Sequence, residues 1–278
     1  MKFELTILGS SSALPTSERF PTAHVLNVHE RFFLIDCAEG TQMQLRRNRI
    51  PMGKIHHIFI SHLHGDHYFG LPGLLSSLGL IGRRVPLHLY GPPELKDKLD
   101  AFAHAKEQLE FEIVFKGHAY DAPKLLLETT DLEVWSIPML HKVPTVGFVF
   151  REKLGQRLIS RHEDAGETVR PRTLAWYSDT RFNPETAECI RHANLLYHEA
   201  TYDHSRRERA WSTGHSTARE AAQMAKLAEV GQLVIGHFSA RYKSVDSLVN
   251  EAREVFENTQ AAYDGLKIDI PFINRLDL

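Results

Sequence analysis

The sequence predicts an α/β fold, with helices layered against two β-rich halves. Three observations carry this. Short apolar or alternating segments recur from residue 3 to residue 270, with helical patterns between them throughout. The composition is ordinary globular material, 42% hydrophobic and 24% charged over 278 residues, enough for one large buried core. No low-complexity tract or linker breaks the chain, so residues 1–278 are expected to form a single domain.

The elements follow in order. Lys2-Phe3-Glu4-Leu5-Thr6-Ile7-Leu8 alternates as a half-buried strand does, giving a first strand over 3–8. Further strands are expected at 24–28, 31–35, 57–61 and 86–90, with helices at 41–47, 71–80 and 93–105. The second half repeats the mixture, with strands near 125–127, 132–137, 146–150, 174–178, 195–198, 233–236 and 268–270. Its helices are expected at 184–192, 217–229 and 245–257. Asn183 caps the first of these ahead of Pro184. Ser216 is the expected cap of the second, with Glu220 in its first turn and Gly231 ending it.

Composition also excludes classes of function. No run approaches a membrane span. The first residues read as a strand rather than a signal peptide, so the expected location is cytoplasmic. Cys37 and Cys189 lie far apart in apolar surroundings and read as buried free thiols. A net charge of −2 does not announce a nucleic-acid binder, so any polyanion site must come from a local patch.

His62-Leu63-His64-Gly65-Asp66-His67 carries the chemistry. Three imidazoles and a carboxylate fall within six residues, directly after the apolar run His57-Ile58-Phe59-Ile60-Ser61. A strand ending in such a cluster brings several ligands to one point. Imidazole and carboxylate suit borderline divalent metals such as zinc. Four ligands on one loop can serve two metals. The stretch matches the H-x-H-x-D-H signature of the metallo-β-lactamase superfamily, whose later ligands stand singly at later strand ends. His141 follows the strand at 132–137, Asp179 follows the one at 174–178, and His237 follows Gln232-Leu233-Val234-Ile235-Gly236.

The resemblance narrows to a subfamily. Asp36-Cys37-Ala38-Glu39-Gly40-Thr41-Gln42 resembles the D-x-G-E-G-T-Q stretch of the ribonuclease Z family, with Ala38 for a glycine. Phe59-Ile60-Ser61-His62-Leu63-His64-Gly65-Asp66-His67, continuing through Phe69-Gly70-Leu71-Pro72-Gly73-Leu74, matches almost throughout. His198-Glu199-Ala200-Thr201, Gly214-His215-Ser216-Thr217 and His237-Phe238-Ser239-Ala240-Arg241-Tyr242 match three further boxes, which β-lactamase and glyoxalase relatives lack. The resemblance implies a four-layer αββα sandwich with metals where the sheet edges meet. It implies a zinc-dependent endoribonuclease that hydrolyses a phosphodiester to remove the 3′ trailer from precursor tRNA, leaving a 3′-hydroxyl, and a homodimer. It also implies two Zn2+ per chain, with Mn2+ a possible substitute. His62, His64 and His141 would hold one ion, Asp66, His67 and His237 the other, and Asp179 would bridge them. Asp66 would also orient or deprotonate the attacking water. His215, outside the ligand set, is the expected general acid, aimed by Glu199.

One departure bears on substrate. Most bacterial members carry a long Gly-, Pro- and Lys-rich arm between the third histidine ligand and the bridging aspartate. Here only 37 residues separate His141 from Asp179. Residues 151–172 hold six Lys/Arg against four Asp/Glu, a reduced basic segment or a lost exosite. A second run, Arg206, Arg207 and Arg209, lies between two of the boxes and either coats a solvated face or meets phosphates. Two other readings stay open. One is a small-molecule or cyclic-nucleotide phosphodiesterase on the same di-zinc scaffold. The other is a non-catalytic nucleic-acid-binding relative, which the complete ligand set argues against.

Overall fold

Strand β1 (Phe3–Gly9) shows how the sheets are built. Phe3, Leu5 and Ile7 project to one side, into a core shared with the other sheet, and Leu8 projects to the opposite side, beneath helices. The computed structural model describes residues 2–101, 109–153 and 170–272. Among these, β1 joins β2 (Ala23–Val28), β3 (Arg31–Ile35), β4 (Ile55–Phe59), β5 (Leu87–Gly91), β6 (Ile113–Gly117) and β14 (Lys267–Asp269) in one sheet, ordered β14-β1-β2-β3-β4-β5-β6. The second sheet takes β7 (Lys124–Glu128), β8 (Leu132–Met139), β9 (Thr145–Glu152), β10 (Thr173–Trp176), β11 (Leu195–Glu199), β12 (Leu233–Gly236) and β13 (Thr259–Ala261), ordered β13-β12-β11-β10-β9-β8-β7.

The two sheets share one plan. In each, three antiparallel pairings are followed by three parallel ones, the parallel part being β3-β4-β5-β6 in the first and β10-β11-β12-β13 in the second. Aromatics close the space between them: Phe59 packs edge-on to Phe148 and to Phe150, each at 5.5 Å. Helices α1 (Thr41–Arg47), α2 (Gly65–Tyr68), α3 (Leu71–Leu80) and α4 (Leu95–Ala101) follow strands of the first sheet, and side chains of α1, α3 and α4 cover its outer face. After β11 come α5 (Arg207–Thr213), α6 (Ala218–Leu227) and α7 (Asp246–Arg253), and α6 and α7 cover the outer face of the second sheet. This is the four-layer αββα sandwich.

Several expected boundaries move, for local reasons. The cap of α6 is Thr217, not Ser216. Thr217 and Glu220 form a reciprocal capping box, while Ser216 donates its hydroxyl to the Thr180 carbonyl at 2.7 Å. That helix stops at Leu227, well short of Gly231. Asn183 caps its segment as expected, but Pro184–Ile190 winds as a 3-10 helix. The expected helix at 93–105 runs partly outside the described residues. Cys37 is buried as expected, whereas Cys189 is only half-buried; both are free.

Residues 154–169, most of the expected basic segment, lie outside the described residues. Its far end corrects the expectation. Arg172 is 2% exposed, not a surface cation. Its guanidinium grips Glu152 at 2.7 and 2.8 Å, and Glu152 also meets His29 at 2.8 Å.

Candidate metal centre and active site

Four parallel strands and one antiparallel strand deliver the site at one rim of the sandwich. The loop after β4 carries His62, His64, Asp66 and His67; β8 ends just before His141, β10 before Asp179, β11 at Glu199 and β12 before His237. Ligand sites of open α/β sheets form at such carboxyl ends, where loops leave the scaffold.

All seven expected ligands converge. His64 Nδ1 stands 3.1 Å from His62 Nε2 and 3.3 Å from His141 Nε2. Asp179 Oδ2 lies 3.7 Å from both His62 Nε2 and His141 Nε2. Its other oxygen, Oδ1, lies 3.4 Å from His67 Nε2 and 3.2 Å from His237 Nε2. Asp66 Oδ2 completes the second group, 3.5 Å from His67 Nε2 and 3.4 Å from His237 Nε2. Asp179 therefore presents one oxygen to each group. Atoms that share a tetrahedral zinc at 2.0–2.1 Å stand roughly 3.3 Å apart, so both groups fit such an ion. His67 Nε2 and Asp179 Oδ1 are buried without a hydrogen-bond partner in the protein, as ligand atoms should be.

The outer ring nitrogens of His62, His67, His141 and His237 are engaged. His62 Nδ1 meets Ser61 Oγ at 3.0 Å, and that hydroxyl donates to Asp36 at 2.9 Å. His67 Nδ1 donates to Asp36 Oδ2 at 2.6 Å, His141 Nδ1 to the Gly214 carbonyl at 2.6 Å, and His237 Nδ1 to Thr201 Oγ1 at 3.0 Å. Such partners fix each ring and leave Nε2 basic. Asp36 and Thr201 take these roles without having been singled out from the sequence, although each sits in a stretch that carries the resemblance. Gly214 has a φ of +85°, and a Cβ there would fall 2.7 Å from His141 Nδ1.

Electrostatics match the geometry. Burial holds His62, His64 and His141 below the usual histidine range, so their rings are neutral. Burial also opposes charge on His67, yet Asp179, Asp66 and Asp36 raise it well above normal. Burial alone would raise the Asp179 carboxyl, but His237, His67 and His215 hold it well below the usual range. Three carboxylates in so small a volume call for positive charge.

His215 lies within ligand distance of Asp179 and His237, a third potential group, but its Nδ1 is committed to Glu199. Its Nδ1 donates to Glu199 Oε1 at 3.0 Å and stands 3.9 Å from Asp179. Burial lowers the imidazole, but Glu199 and Asp179 push it up to about 9. Glu199 is 1% exposed and held by the Thr180, Ser216 and Thr201 backbone N–H groups. The ring atom left to face a substrate is Nε2.

Three comparisons agree with this architecture. The chain is 40% identical over 302 aligned positions to ribonuclease Z of Bacteroides thetaiotaomicron, covering 97% of this chain and 96% of the relative. The chain belongs to the ribonuclease Z family. A family model described as anti-Pycsar protein Apyc1 also matches, over residues 3–225. Among solved structures, the short form of human tRNase Z superposes with a TM-score of 0.80 at 30% identity, covering 96% of this chain and 99% of the other. The metallo-β-lactamase fold protein YhfI of Bacillus subtilis, at 18% identity and a TM-score of 0.77, shares the fold, covering 97% and 100%. The Bacteroides alignment is longer than the 278 residues of this chain, so that ribonuclease Z has segments without a counterpart here.

Proposed function

We propose that this protein is a two-metal endoribonuclease that removes the 3′ trailer from precursor tRNA and leaves a 3′-hydroxyl on the tRNA. The observation that carries it is the joint placement of seven ligand residues in two groups that share Asp179, with the His215–Glu199 pair alongside. His62, His64 and His141 with Asp179 Oδ2 would hold one ion, and Asp66, His67 and His237 with Asp179 Oδ1 the other. Imidazole and carboxylate favour zinc, with manganese able to replace it. When bound, two such ions make an attacking water acidic near neutral pH and neutralise charge on a phosphate oxygen.

The chain's own residues do the rest. Asp66, held by the Ala13 N–H at 2.7 Å, orients that water and takes its proton. His215 gives the Nε2 proton to the departing ribose 3′-oxygen, a step worth roughly 10²–10⁴-fold. Glu199 keeps the ring protonated and aimed by accepting Nδ1–H. No helix among the described residues is long and apolar enough to cross a membrane. We place the enzyme in the cytoplasm with its tRNA substrate, as a homodimer by its family resemblance.

Two assays run side by side test the reading, with a 3′-extended precursor tRNA and with bis(4-nitrophenyl) phosphate. Cleavage of the tRNA at one position, with two metals per chain by elemental analysis after zinc reconstitution, is expected. Turnover of the small diester alone would favour the small-molecule phosphodiesterase instead. One metal or fewer at full reconstitution would overturn the ligand assignment.

A further inference from the structure

Trp211 belongs neither to the ligand groups nor to the His215–Glu199 pair. It lies on α5, four residues before His215, and is 58% exposed. Exposure of a single aromatic is ordinary in itself; what sets Trp211 apart is what surrounds it. One face of its indole is covered by the Arg181 guanidinium, 5.0 Å from the ring centroid. The side towards Arg207 and Glu208 is a cleft of ≈ 410 Å³, within the roughly 300–1,000 Å³ of ligand clefts.

Its backbone ties this residue to the active site. The Trp211 carbonyl accepts from Arg181 Nε at 2.8 Å and from the Gly214 N–H at 3.2 Å. Arg181 is two residues beyond Asp179, and its N–H bonds the carbonyl of Leu140, the residue before His141. Gly214 is the residue that accepts His141 Nδ1. The indole is thus fixed to the same loops that carry the third histidine ligand, the bridging aspartate and the proposed acid. Arg206, Arg207 and Arg209 flank it, with Glu208 between them, and Arg206, Arg207, Glu208 and Arg209 line a second hollow alongside.

We propose that Trp211, backed by Arg181, is a stacking platform for one unpaired nucleobase of the RNA next to the scissile phosphate, with the flanking arginines meeting the phosphates around it. An aromatic face accepts any base, and a guanidinium beneath it strengthens the stack; together with positive charge this is how proteins hold single-stranded nucleic acid without reading sequence. Arg207 pairs with Glu220 at 3.0 Å and Arg206 with Asp203 at 3.9 Å, yet four arginines (Arg181, Arg206, Arg207 and Arg209) against Asp203, Glu208 and Glu220 leave the patch positive, which suits a polyanion rather than an apolar peptide. The proposal rests on the endoribonuclease reading and gives it a substrate contact beside the proposed acid.

The test compares Trp211→Ala and Trp211→Phe with the wild type. Trp211→Ala should raise KM for a 3′-extended precursor tRNA by about 5- to 150-fold, the size of one lost base stack, with a much smaller change in kcat. Trp211→Phe should recover most of the loss. Indole fluorescence of the wild type should be quenched by a single-stranded oligoribonucleotide of the trailer sequence, and Trp211→Ala should remove most of the quench, since of the other two tryptophans Trp176 is buried and Trp135 packs against the core of the second sheet. An unchanged KM in Trp211→Ala overturns the platform. So does a loss of equal size on bis(4-nitrophenyl) phosphate, which would mean a structural role. If the wild type fails to cut precursor tRNA yet shows the Trp211-dependent quench, the platform stands and the tRNA reading falls. No quench and no tRNA cleavage would remove both.

Discussion

His215 and Asp179 lie 3.9 Å apart, yet the structure gives them separate work. Asp179 offers one oxygen to each ligand group, while His215 gives its Nδ1–H to Glu199. His215→Ala should therefore keep both metals and the fold and slow cleavage by about 10²–10⁴-fold. Asp179→Ala should lose metal from both groups. Elemental analysis beside single-turnover cleavage checks the pair, and equal metal loss in the two variants would erase the distinction. The seven proposed ligands were legible as a set: His62, His64, Asp66 and His67 form the H-x-H-x-D-H signature, and His141, Asp179 and His237, each a weak signal alone, follow it in the order the resemblance expects. Asp36 and Thr201 were harder to see: a buried hydrogen-bond acceptor and a hydroxyl between two ring partners have no spacing signature. Nor does composition announce that Asp36 and His237 adopt positive φ, 55° and 57°. Such backbone costs about 1–3 kcal/mol per residue and persists where surrounding structure demands it.

At the scale of elements, long periodic segments were readable and short polar ones were not. Helix α3 spans Leu71–Leu80 as its apolar spacing predicts. Strand β13, Thr259–Ala261, has no alternation to reveal it, and α5 reads in sequence as a charge run. Arg172 marks the same limit. Counted as a surface charge, it instead joins β9 to the start of β10 through buried Glu152 and stacks on Phe3 and Phe272 at 5.0 and 4.2 Å. Only the fold reveals that partner, twenty residues away. Arg172→Met should leave Glu152 as a buried carboxylate without its cation, at a cost of about 3–5 kcal/mol. Thermal unfolding should then fall by well over 5 °C. Cleavage at low temperature should stay near wild type. A loss of tRNA affinity with unchanged stability would restore the exosite role that the sequence suggested.

For the whole molecule, the layering was legible as an alternation of strands and helices, but the pairing was not. Nothing in 268–270 announces that β14 returns to lie beside β1, or that the two sheets repeat one plan; the four layers came from resemblance. The seam between the sheets also sets acid stability. His118 follows β6 and is 3% exposed; its Nε2 meets the Ile60 carbonyl at 2.9 Å, and its ring contacts Tyr120, two residues on, and Phe148 of the opposing sheet. Burial pushes its imidazole down to about 4. The folded state therefore stays neutral at His118 between about pH 6.5 and 4, while the unfolded chain takes up a proton below its ordinary value of about 6.5. The sign follows: stability is full above pH 6.5, declines as the pH falls through that window, and levels near pH 4. From pH 6.5 to 5 the loss is about 2 kcal/mol, at about 1.36 kcal/mol per pH unit. His118→Gln retains an N–H donor and removes the titration. Denaturant unfolding at pH 7 and pH 5 should show a smaller acid loss in the variant by about that amount. The difference must come from His118, because the metal centre is the same in both proteins and its release at acid pH cancels. Parallel curves for the two proteins would show that the seam histidine carries no linkage.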